Sequence, residues 1–309
     1  MSNIVNTKVK FVRNLKDVNF ETNIDKLGKT EVLNLCIDAT NACNLKGVPL
    51  SDMSESVINN LLAREMLEHE FVYNCDTQGC ANEDNITVQI NSKNHIEIFA
   101  KDISIYDAYA KAKEVDKKLC NKLHFAYSDK YGFLAPDIKN IGSGMSIEVK
   151  LMLPALNQLN GIKTLPKSNE KLMFNIKCLD FESGLCLIST GANLGYSEKQ
   201  VCELTQSYID KVIKLEEAMS KNIAKDNTDE VLDCCARAKA ILNYCIKIEP
   251  SEVYALIANI LIAINAGLEK DIEFDKINKI LDSVKYFNNP KELAINIQKI
   301  LKTTNNKNN

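Results

Sequence analysis

Three cations, Lys8, Lys10 and Arg13, fall within residues 5–15, where Val5, Val9 and Phe11 alternate with polar side chains. The alternation predicts an extended segment, and its cations have two readings: a grip for phosphate oxygens or a solvated sheet edge. A second cluster lies in the glycine-rich stretch 131–144, which holds Asp137, Lys139 and Asn140 between Gly132, Gly142 and Gly144. His95 is a third candidate, although a single histidine in a hairpin is more often structural than functional. Cys75 and Cys80, spaced C-x4-C, offer half a zinc site with no second Cys or His pair nearby, so no metal is expected.

Regular elements must position these residues. From 145 to 153, Met145, Ile147, Val149, Leu151 and Leu153 alternate with Ser146, Glu148, Lys150 and Met152, the period of a strand with one buried face. The glycine-rich turn therefore feeds a core strand. Residues 86–99 read as a hairpin: Ile86, Val88 and Ile90 alternate, Asn91 to Asn94 turn, and Ile96 and Ile98 return. Residues 104–123 read as an amphipathic helix capped by Ser104, with Ile105, Tyr109, Ala112, Val115 and Leu119 inward. Two further strands are expected at 172–178 and 184–189. Residues 16–70 say less: Gly47-Val-Pro49 and Ser51 mark a turn, and Ser54 precedes Val57, Leu61 and Leu62 at helical spacing.

Beyond 196 the pattern turns wholly helical. Ser197 with Gln200 forms a capping box, and Val201, Leu204, Tyr208, Val212, Leu215 and Met219 make a stripe that requires a helical partner. Asn227-Thr228 breaks that helix; others are predicted at 231–248, 251–266, 272–287 and 290–301, followed by a polar tail at 303–309.

The 309 residues are 45% hydrophobic and 26% charged, with a formal net charge of −3. Such a composition describes an ordinary globular chain and lacks the basic footprint of a nucleic-acid binder. No apolar run of about 18 residues is long enough for a bilayer, and no secretory leader is evident, so a cytoplasmic protein without membrane or nucleic-acid partners is expected. Eleven cysteines, an odd number, are then best read as free thiols.

The stretch Tyr131-Gly-Phe-Leu-Ala-Pro-Asp137-Ile-Lys-Asn140-Ile-Gly142-Ser-Gly144, leading into a strand that ends in Leu153-Pro-Ala-Leu156, resembles the signature of the guanidino phosphotransferases. The likeness is greatest to their bacterial protein arginine kinase branch, where the turn reads Gly-Tyr-Leu-Thr-Ser-Cys-Pro-Thr-Asn-Val-Gly-Thr-Gly-Leu-Arg. It extends through Ile188-Ser189, Leu194-Gly195 and Ser197-Glu198 into the helical half. It implies an α+β fold, a mainly antiparallel sheet flanked by helices over 1–215, then an all-α, dimerisation-type region over 216–302 and the tail. By the same resemblance, ATP and Mg are the cofactors.

Position by position, the resemblance places Lys8 and Lys10 where the family has two phosphate-binding arginines, with Arg13-Asn14 kept. Ser92, Lys93 and Asn94 replace the acidic run of the hairpin, His95 is kept against the nucleotide, and Glu97 stands for an arginine. Asp137 takes the place of the reactive cysteine, Lys139 that of a threonine, Ser146 that of another arginine; Asn140 matches. Leu172 and Lys177 fall where an arginine and a glutamate are expected, and the phosphoarginine-reading motif of the last helix is absent near Lys291-Glu292 and Ile295-Asn296. A protonated guanidinium needs a carboxylate to orient it and take its proton, and phosphoryl transfer needs a cation clamp. The implied function is therefore a catalytically inactive protein arginine kinase-like scaffold or regulator that pairs with itself or with a related kinase and binds a protein partner. The alternative is a divergent ATP:guanidino phosphotransferase whose anion site is rebuilt from Lys8, Lys10, Lys139 and Lys150 with Asp137. A third reading is a sensor that binds a small ligand or phosphopeptide without chemistry.

Overall fold

Val9 and Phe11 are fully buried on strand β1 (Ile4–Arg13), while Lys8 and Lys10, which alternate with them, point to the opposite side. This strand is the middle of a nine-stranded sheet in the computed structural model, which describes residues 3–20, 23–287 and 289–303, with backbone alone at 73–75. The other strands are β2 (Gly47–Pro49), β3 (Gly79–Glu83), β4 (Ile86–Ile90), β5 (Ile96–Asp102), the two-residue β6 (Tyr127–Ser128) and β7 (Gly132–Phe133), β8 (Met145–Met152), β9 (Ser168–Asn169), β10 (Leu172–Asp180) and β11 (Leu185–Thr190). The sheet order is β2-β3-β4-β5-β1-β8-β11-β10-β9, with β6 and β7 pairing separately. Every neighbouring pair is antiparallel. Strand β1 is hydrogen-bonded on both sides, to β5 and to β8, so the solvated-edge reading of residues 5–15 is corrected: a strand in that place has no free edge.

The helices are α1 (Lys26–Ala42), α2 (Glu55–Ala63), α3 (Ile105–Cys120), α4 (Pro154–Gln158), α5 (Glu198–Asp226), α6 (Thr228–Tyr244), α7 (Pro250–Ala266), α8 (Phe274–Ser283) and α9 (Pro290–Lys302). One core joins Val9, Phe11, Ile98, Ile147 and Val149 of the sheet to Ile105, Ala112, Val115 and Leu119 of α3 and Val201, Tyr208 and Val212 of α5. A small satellite under α2 contains Leu50, Leu61, Met66, Phe71 and Cys80. Cys80 is buried there, and burial pushes its thiol up to about 12; the side chain of Cys75 lies outside the described residues.

A third cluster is the helical half, with Val231, Ala238 and Leu242 of α6, Ile257, Ile260 and Leu261 of α7, Ile280 of α8 and Ile297 of α9. Helix α5 belongs to both halves, since Val212 lies in the sheet core and Ala224 in the helical one; the division expected between 215 and 216 lies inside it. Its Glu216 accepts hydrogen bonds from the N–H groups of Ala155 and Leu156, both at 2.8 Å, tying the first turn of α4 to α5. Burial pushes that carboxyl up to about 7. The capping box at Ser197 forms, with Gln200 N–H on Ser197 Oγ and Gln200 Oε1 on Ser197 N–H.

Three sequence expectations are adjusted. Leu215 is 41% exposed, because the buried stripe of α5 passes through Ile209, Ile213 and Glu216 instead. Helix α6 stops at Tyr244 rather than 248, and the helix expected over 272–287 is α8 followed by a 3-10 turn, Val284–Tyr286. Helix α1 carried no strong apolar pattern; its buried positions include Cys36, Ala39 and Thr40, which a hydrophobic stripe does not reveal. Of the polar tail, residues 304–309 lie outside the described residues.

Candidate functional site

The sheet face turned away from α3 is charged. From β1, Lys8 Nζ meets Glu148 Oε2 of β8 at 2.9 Å, and Lys10 Nζ meets Glu97 Oε2 of β5 at 2.6 Å. Both ammonium groups also lie 5.2 Å from the centroid of the Phe99 ring. Glu97 is almost wholly buried and is held further by Asn94 Nδ2 at 2.8 Å, whose Oδ1 accepts from Asn14. Burial by itself would raise the Glu97 carboxyl, but Lys10 and Asn94 outweigh it and hold it below the usual carboxylate range. Burial would likewise lower the Lys10 ammonium; Glu97, with Glu68 and Glu148 beyond it, raises it. Both partners are charged and each satisfies the other.

On the same face Lys101 of β5 reaches Glu65 Oε2 at 3.1 Å, and Lys150 of β8 binds the other oxygen of that carboxylate. Ser146 lies directly across from Lys10 in the register of β1 and β8. The face thus carries Lys8, Lys10, Lys101 and Lys150, each already held by a glutamate.

Arg13 is elsewhere. Three residues after Lys10 on an alternating strand, it points to the other side, where its guanidinium is fully buried. Nε and Nη2 donate to the two oxygens of Asp116 on α3 at 2.8 and 3.0 Å, and Nη1 donates to the carbonyls of Val12 and Ser143. The Phe133 ring covers it, 3.6 Å from centroid to Cζ. Its fork geometry is spent on the fold.

His95 is buried as well. Its Nδ1 accepts the Leu15 N–H at 3.0 Å, so the proton sits on Nε2, which donates to the Asn19 carbonyl at 2.9 Å. The ring pins the end of β1 to the hairpin. Asn91, in a left-handed conformation at the turn, donates to the carbonyls of Lys29 and Thr77.

The glycine-rich turn closes over Arg13. Gly144 has φ +62°, and a Cβ there would come within 2.5 Å of Arg13 Nη1 and 2.7 Å of the Val12 carbonyl oxygen. Asp137 is exposed and accepts the Lys139 N–H at 2.9 Å, capping a short 3-10 turn, Ile138–Asn140. Lys139 is exposed and Asn140 half-buried. The structure therefore brings Lys8 and Lys10 together, sets Arg13 and His95 into the scaffold, and leaves Asp137 and Lys139 on an exposed turn.

Sequence reasoning missed the counter-anions. Glu148 and Lys150 were visible as the polar positions of β8, but which lysine each would face depends on the register of β1 between β5 and β8. Glu65, from the end of α2, gave no signal at all. Carboxylates of Glu97 and Glu148 stand against the lysines that the oxygens of a triphosphate would need. Among the described residues no group of three or more His, Cys, Asp or Glu is placed to hold a metal ion, and no helix is long and apolar enough to cross a membrane.

An antiparallel sheet with α3 and α5 on one face and basic side chains on the other is the phosphagen kinase catalytic fold. Residues 23–219 match the ATP:guanido phosphotransferase, C-terminal catalytic domain, and the chain belongs to that family. It is 24% identical over 290 residues to the protein-arginine kinase of Halothermothrix orenii, covering 90% of this chain and 83% of that one. Identity to the protein-arginine kinase of Clostridium acetobutylicum is 23% over 304 residues, covering 90% and 86%. Among solved structures, the duplicated taurocyamine kinase from Schistosoma mansoni with bound transition state analog components superposes with a TM-score of 0.63 at 20% identity. That match covers 72% of this chain and 34% of the duplicated one. Lombricine kinase gives 0.57 at 17% identity, over 70% and 66%. These two likenesses concern the fold.

Proposed function

We propose that this chain is a protein-arginine-kinase-like protein without phosphotransfer activity, which acts as a dimerising or partner-binding scaffold. The observation that carries the reading is the internal pairing of Lys10 with Glu97 and of Lys8 with Glu148. Phosphoryl transfer depends on cations free to stabilise phosphate oxygens, and removing one electrostatic donor costs about a hundredfold in rate. Here the donors face carboxylates of their own chain. No acidic side chain replaces the guanidinium-orienting run at 92–94, and Asp137 caps its own turn.

The partner half of the reading rests on the helical region, where Tyr244, the last residue of α6, and Ile246 just beyond it are 84% and 81% exposed. Large apolar side chains left in water favour an interface with a second copy, a related kinase or another protein. The direct experiment is titration with ATP and magnesium by calorimetry, together with incubation with an arginine-rich protein. No binding heat and no phosphoarginine are expected. Robust phosphoarginine formation overturns the reading in favour of a divergent phosphotransferase.

A further inference from the structure

Glu65 occupies a backbone position that suits glycine. Helix α2 ends in paired reverse hydrogen bonds, Glu65 N–H to the Leu62 carbonyl and Met66 N–H to the Leu61 carbonyl, both 2.8 Å, with Glu65 at φ +55°. This is the left-handed closing position of a Schellman motif, where glycine is favoured because a side chain crowds the backbone. What the glutamate supplies in return is its carboxylate, clasped by Lys101 and Lys150 from two different strands. The two ammonium groups are well covered, with side chains only 8% and 14% exposed, while the glutamate between them is 46% exposed. The clamp is built into the sheet; its anion is delivered from outside.

Beside the clamp a cleft of about 470 Å³ opens between the sheet and α8, its wall formed in part by Arg64, Met66, Lys101, Lys285 and Tyr286. Arg64, Lys101, Lys279 and Lys285 line it against Asp102, Asp275 and Asp282, so cations exceed carboxylates there by one. Burial, and then Lys285 and Lys8, push the Lys101 ammonium down to about 8 even with Glu65 in place. A second anion entering this cleft would take over the two lysines as Glu65, whose side chain is already 46% exposed, gives them up and turns to solvent.

We propose that Lys101 and Lys150 form an oxyanion-binding site, filled in this state by Glu65 as an internal stand-in, and that a small phosphate- or carboxylate-bearing ligand entering from the cleft displaces it. Lys8 lies across from Lys101 in the register of β1 and β5 but is held by Glu148, so the site uses lysines of its own and the proposal stands whether or not the chain transfers phosphate. Glu65→Gly is the informative variant, because it removes the carboxylate and at the same time relieves the left-handed backbone. Calorimetric titration with inorganic pyrophosphate and, in a second arm, succinate should show binding to Glu65→Gly at least tenfold tighter than to the unaltered chain for one of the two. The tighter of the pair tells a phosphate ligand from a carboxylate one. Adding Lys101→Met or Lys150→Met to Glu65→Gly should abolish the gain, with thermal melting used to confirm that each variant folds. The proposal is overturned if Glu65→Gly binds neither anion more tightly, or if the gain survives loss of either lysine.

Discussion

Asp116 of α3 receives both Nε and Nη2 of Arg13, at 2.8 and 3.0 Å, in a pair that is wholly shielded from water. The fork of the guanidinium matches the two carboxylate oxygens, and its remaining donor serves the Val12 and Ser143 carbonyls. The cation thus joins β1, α3 and the glycine-rich turn. Asp116→Asn removes the carboxylate that meets the fork and leaves only Glu198, 3.9 Å from Nη2, as counter-charge, so it should lower unfolding free energy by about 3 kcal/mol, as urea denaturation would measure. A loss under about 1 kcal/mol would show that the pair is not what holds these elements together.

The Lys10–Glu97 pair predicts a characteristic double-mutant cycle. Glu97→Met alone strands a largely covered ammonium and should destabilise by about 2–4 kcal/mol, toward the lower side of buried pairs because Lys10 keeps some solvent contact. Lys10→Met combined with Glu97→Met should recover most of that loss, since two apolar groups need no partners. Additive losses would mean that the two residues do not interact.

Acid should open the clamp around Glu65. Burial would raise this carboxyl, but Lys101 and Lys150 outweigh it and hold it down at about 2, against an ordinary 4.5. A depressed carboxylate contributes stability that is fully present above the unfolded value and is lost as pH falls toward the folded one. The difference in melting temperature between the unaltered chain and Glu65→Gln should therefore be constant above about pH 5 and shrink steadily below pH 4.5. A difference independent of pH would remove the ionic explanation.

Gly144 tests how closely the turn packs on Arg13. Alanine there meets a positive φ and a Cβ contact of 2.5 Å to Arg13 Nη1, so Gly144→Ala should cost more than about 1 kcal/mol. Gly195, also at positive φ, has open space around its Cβ position and should lose only the backbone part. Equal losses in thermal melts of the two variants would contradict the crowding.

Ser197→Ala removes half of the capping box at the start of α5 and should cost about 1 kcal/mol. Because α5 contributes to both cores, the loss should appear in near-ultraviolet dichroism of the whole chain as well as in far-ultraviolet melting. A change confined to the first turn would leave the two signals unaffected.

Local signals located most elements. The period of two at 145–153, the turn at 91–94, the Ser104 cap and the Ser197 box each depend on neighbours within a few residues, and each forms. Residues 16–70 were harder, since α1 buries small and polar side chains and β2 and β3 are short. The ends of α6 and α8 also moved inward, because helix boundaries follow packing and caps more than periodicity.

By itself the sequence determined the family, the antiparallel sheet followed by helices, and the identity of the residues standing at the positions where the resemblance expects phosphate ligands. The individual elements follow from residue type and local order, and the family and the antiparallel arrangement from the resemblance that the glycine-rich stretch carries. Tertiary structure alone decided what those residues do. Arg13 turns into the core because strand alternation sends it opposite Lys10, and Asp116 awaits it 103 residues later in the chain. Lys8 and Lys10 meet glutamates on neighbouring strands because the register of β1 between β5 and β8 places them there. Glu65 reaches Lys101 and Lys150 because a helix ends in a left-handed turn above the sheet. Charge pairing falls off within a few ångströms and depends on distances between segments far apart in the chain, which no local pattern encodes.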